Sequence, residues 1–168
     1  MTGIEREFSA AIVTVSDSGF RGERDDDSGD LLERLLIEAG AGTVTRVLVP
    51  DERQNIADAL RKLCGGEHAD LVITTGGTGL VERDVTPEAT RDVIDREAPG
   101  FAEAIRAGSM KITPRAMLSR SVSGISGKSL IINFPGSPKA CAESFAVVRP
   151  VLGHALELLG GTGGECAR

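Results

Sequence analysis

Apolar positions along the chain fall into short continuous runs that alternate with stretches repeating every three to four residues. "SAAIVTVS" (9–16) is apolar and β-branched, ends at Asp17 in a polar, glycine-bearing loop, and reads as a buried strand. Leu31, Leu32, Leu35, Leu36 and Ala39 then recur at helical spacing, with Ser28 or Asp30 as the N-cap and Gly40 as the stop. "TVTRVLV" (43–49) predicts a second strand. After Pro50, Asp51 and Gln54 fit a capping box for a helix that lines up Ile56, Leu60 and Leu63. "ADLVITT" (69–75) predicts a third strand, and Thr86 before Pro87 caps a helix running to about Glu97. Past Pro99-Gly100, "FAEAIRAGSMK" predicts a short helix, and "MLSRSVSGI" and "KSLIINF" predict two strands joined by a tight turn at Ser126-Gly127. A long amphipathic helix follows "PGSPKA", carrying Cys141, Phe145, Val148, Leu152, Leu156 and Leu159, with Pro150 as a point of kinking or breakage.

Strands with continuous rather than alternating apolar character, each followed by a helix, indicate an α/β fold with a parallel sheet covered on both faces. The pattern fits a single domain over residues 1–160, with 161–168 as a flexible tail. In such sheets the loops leaving the carboxyl ends of the strands gather along one edge, where ligands bind. Ser16-Asp17-Ser18, Pro50-Asp51, the turn from Thr74 to Asp84, and Pro135-Gly136-Ser137 all belong to that edge, and all carry hydroxyls, glycines or aspartates.

Composition narrows the ligand classes. A net charge of -6 leaves no global positive field for a nucleic-acid backbone or an anionic membrane, so an anion must be met locally. Five Phe with no Trp or Tyr give little for base stacking. Cys64, Cys141 and Cys166 lack CxxC spacing, which together with two histidines argues against zinc and for a reduced, cytoplasmic protein. No run approaches the roughly 20 apolar residues of a membrane span.

"ITTGGTGLVERDVTPEA" (73–89) concentrates the chemistry. Gly76, Gly77 and Gly79 leave backbone N–H groups unshielded, and Thr75 and Thr78 add hydroxyls, a set suited to phosphate oxygens. The same glycines would also serve a plain strand-to-helix turn. Asp51 and Asp84, just beyond strands on the ligand edge, add the carboxylates a hard divalent ion needs beside phosphates; Asp51 also has a capping role open to it. Arg83 and Lys139 are candidate counter-charges, while Arg115 and Arg120 fit the surface or another anion pocket. Ser137 begins the long helix, where an anion is favoured, and a serine there also serves as a plain cap. "DDDSGD" (25–30) lacks the spacing of a calcium loop and reads as a solvated acidic approach to a helix. The turn is neither a Walker A motif nor GxGxxG, and "VSDSGF" after the first strand does not make a dinucleotide fingerprint.

Taken in order, "VTVSDS", "RGERDDDSG", "ITTGGTGLVERDVTPEA" and "FPGSPKA" resemble the molybdenum-cofactor biosynthesis family of the MogA/MoaB type, which includes the G domain of gephyrin. The resemblance runs from about Ser9 to Leu159. It implies a three-layer α/β/α sandwich with a mostly parallel sheet and one antiparallel hairpin, assembled as a homotrimer. It also implies transfer of AMP from Mg-ATP to molybdopterin, whose adenylylated product is passed to a molybdate-insertion enzyme. By position, Asp51 and Asp84 correspond to the family's acidic pair at the metal and catalytic centre. Thr75, Gly76, Gly77, Thr78, Gly79 and Arg83 correspond to its nucleotide-phosphate turn. Ser16, Asp17, Ser18, Pro135, Gly136, Ser137 and Lys139 correspond to loops of the pterin site. A MoaB-like carrier or trimeric scaffold that binds molybdopterin without turnover is the alternative the resemblance leaves open.

Overall fold

The strands align so that the glycine turn and its partner loops emerge together. The computed structural model describes residues 7–161. Its sheet has the order β2-β1-β3-β6-β5-β4, made of β1 (Phe8–Val15), β2 (Ala41–Val49), β3 (Leu71–Thr75), β4 (Arg96–Glu97), β5 (Ser123–Ser126) and β6 (Ser129–Phe134). β2, β1, β3 and β6 are parallel, whereas β6, β5 and β4 pair antiparallel. Thr14 pairs with Thr75, Thr75 with Phe134, and Val15 with Val49, so the four parallel strands finish level. From β1 the chain moves outward to β2 and then back across to β3. Their carboxyl ends therefore flank the topological switch point where open α/β sheets form their ligand crevice.

Alternation along the strands splits the core into two layers. Ala10, Ile12, Leu71, Ile73, Leu130, Ile132 and Phe134 face α2 (Asp27–Glu38), α5 (Gly100–Met110) and α6 (Pro138–Gly160), meeting Leu32, Leu36, Ile105, Phe145 and Leu152. Ala11, Val13, Val15, Val72 and Ile131 face α3 (Arg53–Cys64) and α4 (Thr86–Arg91), meeting Ile56, Leu60, Leu63 and Ala89. This is the expected α/β/α sandwich, with the antiparallel hairpin closing at Gly127, whose φ of +59° suits glycine. Among the described residues no helix is long and apolar enough to cross a membrane.

Several local expectations change. The N-cap of α2 is Asp26, not Ser28 or Asp30; its carboxylate accepts from Gly29 N–H at 3.0 Å and from Thr14 Oγ1 at 2.9 Å and pairs with Arg46 at 2.8 Å. The acidic approach to α2 is thus partly tied down rather than simply solvated. A one-turn helix, α1 (Asp17–Phe20), follows β1 and is capped by Ser16, which accepts from Gly19 N–H at 3.0 Å. Asp51 does not cap α3, which starts after Glu52 with no side-chain cap. Thr86 is the first residue of α4 rather than its cap, and α4 stops at Arg91, well short of Glu97, because Arg96 and Glu97 are drawn into the sheet as β4. A 3-10 turn over Pro114–Leu118 precedes β5. α6 runs unbroken through Pro150, whose missing N–H falls on the exposed face. Except for Gly161, which ends α6 with φ of +74°, the expected tail and its Cys166 lie outside the described residues.

Candidate active site

The loops that leave β1 and β2 are bolted together by two aspartates. Asp17 N–H donates to Asp51 Oδ2 at 2.9 Å, and Asp51 N–H donates to Asp17 Oδ1 at 3.0 Å. Ser16 N–H donates to Val49 O at 3.0 Å, extending the parallel ladder up to this bolt. Arg83, from the glycine turn, grips Asp17 with Nε at 2.8 Å and a second nitrogen at 3.0 Å, and reaches Glu52 at 3.0 Å. Those bonds hold the Asp17 carboxyl below the ordinary carboxylate range. Burial pushes Asp51 the other way, reinforced by the nearby charges of Asp17 and Asp84. The two carboxylates therefore differ in kind: Asp17 has its cation, whereas Asp51 is a partly buried anion raised in energy by its surroundings.

The glycine turn requires its glycines in two different senses. Gly76 and Gly77 have φ of +99° and +67°, and a Cβ on Gly76 would lie 2.4 Å from Val15 O. A Cβ on Gly77 would meet Thr86 Oγ1 at 2.4 Å and Asp51 Oδ1 at 3.3 Å, which places the Asp51 carboxylate against the turn. A Cβ on Gly79 would lie 2.8 Å from Asp84 Oδ2, so the second carboxylate borders the same turn. Asp84 is oriented by Val81 N–H, which donates to its Oδ2 at 3.1 Å. Asp17, Asp51 and the adjacent Arg83 and Asp84, from three separate loops, thus meet around Gly77 and Gly79.

On one flank lies a cleft of about 360 Å³ between the end of β1, the start of α2 and the β6-α6 loop, lined by Ser16, Thr75, Gly76, Asp26, Gly136 and Ser137 among others. Ser28 Oγ donates to Gly136 O at 2.7 Å across it, and Ser137 caps α6 by accepting from Ala140 N–H at 3.2 Å. On the other flank a more apolar cleft of about 290 Å³ includes Thr78, Gly79, Pro135, Arg115 and Arg106. Some expected contacts are otherwise engaged. The Thr75 hydroxyl is buried and donates to Pro135 O at 2.8 Å, so it holds the loop rather than facing a phosphate. Arg83 is committed to carboxylates. Lys139 lies outside both clefts, its side chain 85% exposed and 4.0 Å from Glu143. Ser18 meets Ser16 Oγ at 3.3 Å.

Residues 11–154 match the family profile described as "Probable molybdopterin binding domain", a span that contains the glycine turn and the loops just described. The chain belongs to this molybdopterin-binding-domain family. Across the family, similarity extends over most of the sequence. A molybdopterin adenylyltransferase of Helicobacter pylori is 41% identical over 150 residues, spanning 88% of this chain and 85% of that one. The molybdenum cofactor synthesis protein cinnamon of Drosophila melanogaster is 43% identical over 150 residues, but the chain spans only 25% of its length. The crystal structure of the molybdopterin biosynthesis enzyme MoaB of Thermus thermophilus superposes with a TM-score of 0.83 at 49% identity, covering 92% of this chain and 97% of that one.

Within this molybdopterin-binding domain, two residues bear on the turn that sequence reading did not place there. Arg120, assigned to the surface or to another pocket, reaches the carbonyls of Gly79 and Asp84 and pairs with Glu88. Thr86, read as a helix cap, donates its hydroxyl to Gly76 O. For Arg120 no local signal exists, because its partners are 32 to 41 residues away.

Proposed function

We propose that the chain is a molybdopterin adenylyltransferase in molybdenum cofactor biosynthesis, transferring AMP from ATP to the terminal phosphate of molybdopterin and releasing pyrophosphate. The observation that carries the reading is the convergence of Asp51 and Asp84 on the glycine turn. The kinship with proteins named for this activity supports it. In the reaction, a phosphate oxygen of molybdopterin attacks the α-phosphorus of ATP, a P–O bond forms, and the bond to the pyrophosphate oxygen breaks. No protein nucleophile is needed; alignment of two anions and stabilisation of the leaving group account for the catalysis.

Among the described residues no group of three or more His, Cys, Asp or Glu side chains is arranged as a metal cage. Two carboxylates beside a phosphate site are nonetheless the donor set Mg²⁺ uses when substrate phosphates and water complete its shell. Asp51, raised in energy by burial and by neighbouring negative charge, gains from a cation. Asp51 and Asp84 would hold Mg²⁺, which when bound neutralises charge on the leaving pyrophosphate. The chain's own groups do the rest. Backbone amides of the turn hold phosphate oxygens, Arg83 fixes Asp17, and through it Asp51, and the 360 Å³ cleft with Ser16, Gly136 and Ser137 receives the pterin. The reading includes a homotrimer, supported by the exposed apolar side chains Leu80, Val81, Met117 and Leu118. It also includes a downstream molybdate-insertion enzyme that takes the adenylylated product, and a cytoplasmic location, supported by the free thiols Cys64 and Cys141.

The second reading is a MoaB-like molybdopterin carrier or scaffold without turnover. One assay separates them: purified protein with molybdopterin, ATP and Mg²⁺, following pyrophosphate and adenylylated pterin, beside Asp51→Ala and Asp84→Ala. Pterin-dependent pyrophosphate release that collapses in both variants establishes the transferase. Tight pterin binding without turnover, unchanged in both variants, establishes the carrier.

A further inference from the structure

Each carbonyl of the glycine turn is held by a donor from elsewhere. Thr86 Oγ1 donates to Gly76 O at 2.9 Å, and Thr86 N–H to Gly77 O at 3.1 Å. Arg120 N–H donates to Thr78 O at 2.9 Å, and Arg120 Nε to Gly79 O at 2.7 Å. A further guanidinium nitrogen of Arg120 reaches the carbonyl of Asp84. Glu88 takes Arg120 Nη1 at 2.5 Å, so the guanidinium lies along α4, the same helix that presents Thr86.

A trans peptide sets each C=O opposite the N–H that follows it, and the described chain has no cis peptide. Carbonyls held at Gly76, Gly77, Thr78 and Gly79 therefore turn the amides of Gly77, Thr78, Gly79 and Leu80 away from their braces. Among the described residues none of these four amides donates to another residue. Consecutive amides left unpaired in a turn with positive φ form an anion-binding concavity. Arg120 does not act as its counter-charge, because Glu88 already neutralises the guanidinium.

We propose that Thr86 and Arg120 are positioning residues that hold four successive amides as a single polyphosphate-binding row, the site of the phosphates that leave as pyrophosphate. The proposal rests on the adenylyltransferase reading and adds the two residues that shape its phosphate site. Neither side chain touches the ligand; both act through the carbonyls.

The test uses inorganic tripolyphosphate with Mg²⁺ as probe, with no pterin present. Wild type, Thr86→Val, Arg120→Lys and Glu88→Gln are titrated by calorimetry and by ¹⁵N-resolved NMR of the turn. In wild type the amide signals of Gly77, Thr78, Gly79 and Leu80 shift on titration. Thr86→Val and Arg120→Lys each weaken binding by about tenfold or more, with a matching rise in KM for ATP, and Glu88→Gln weakens it less. Lysine keeps the charge yet cannot supply the forked donors, so failure of Arg120→Lys to rescue separates geometry from charge. Folded variants that bind the probe as wild type does would overturn the positioning role and leave the transferase reading standing. A wild type whose turn amides ignore the probe would overturn both. Should Arg120→Lys fail to fold, Thr86→Val, which removes one hydroxyl at nearly constant shape, decides the same question.

Discussion

Gly79→Ala separates the stability of the turn from its chemistry. Its φ lies outside the left-handed region, since it is absent from the glycines with positive φ, so alanine fits the backbone without strain. Loss of unfolded-state freedom stabilises such a replacement by about 0.4–1 kcal/mol. The added Cβ lies 2.8 Å from Asp84 Oδ2 and 3.7 Å from Asp84 Cγ. Restoring ordinary contact at 3.4 Å moves the carboxylate oxygen by 3.4 − 2.8 = 0.6 Å, and this oxygen also accepts from Val81 N–H. Misplacing a catalytic group by 1 Å costs about a hundredfold in rate, so a shift of this size predicts roughly a tenfold fall in kcat, or about 1.4 kcal/mol. The assays are pyrophosphate release at saturating ATP and a thermal melt of the same preparation. The expected result is turnover slowed by about tenfold, with Tm unchanged or slightly higher. Gly76→Ala is the control from the same turn: its Cβ would meet Val15 O, a backbone atom, at 2.4 Å with φ of +99°. It should lose about 2–3 kcal/mol of stability, visible as a lower denaturation midpoint. Full turnover in Gly79→Ala, or a Tm loss as large as that of Gly76→Ala, would refute the reasoning.

Asp51 links the site to pH. Its folded pKa lies above the unfolded value of 3.8, so the native state holds its proton more tightly. Stability from this group therefore falls as pH rises from that value through the folded pKa, and at pH 7 its full cost is present. Asp51→Asn keeps an acceptor for Asp17 N–H, and melts from pH 3 to 7 should show a higher Tm than wild type at pH 7, with the gap closing toward pH 3; a lower Tm at pH 7 counts against the assignment. Far from the site, Pro150→Ala supplies the missing donor within α6 at an exposed position and should raise stability by about 1–2 kcal/mol in urea unfolding.

The parallel sheet and its loop edge were legible because apolar runs and turn residues are local signals, and β1, β2, β3, β6 and the hairpin at Gly127 lie where the pattern put them. The long helix was equally plain, and its cap at Ser137 was visible in "PGSPKA". What misled was competition for the same residue types. Asp51 before a helix has the form of a cap, yet its carboxylate is engaged by the backbone N–H of Asp17 at the start of α1. Thr75 has the form of a phosphate donor, yet its hydroxyl faces the interior and holds Pro135. Arg96 and Glu97 continue a helical pattern but complete the sheet edge through pairing with β5, a contact no window along the chain can display.

The bracing of the turn from Arg120 also bears on how this motif could be moved between proteins. "TTGGTG" reads as a self-contained cassette, but its shape is completed by a segment forty residues downstream that leads directly into β5, the strand paired with β6. Grafting the glycine loop alone into another α/β scaffold would transfer the letters without the geometry. A fragment ending before the second half of the sheet would carry the motif in full and still be unable to assemble it.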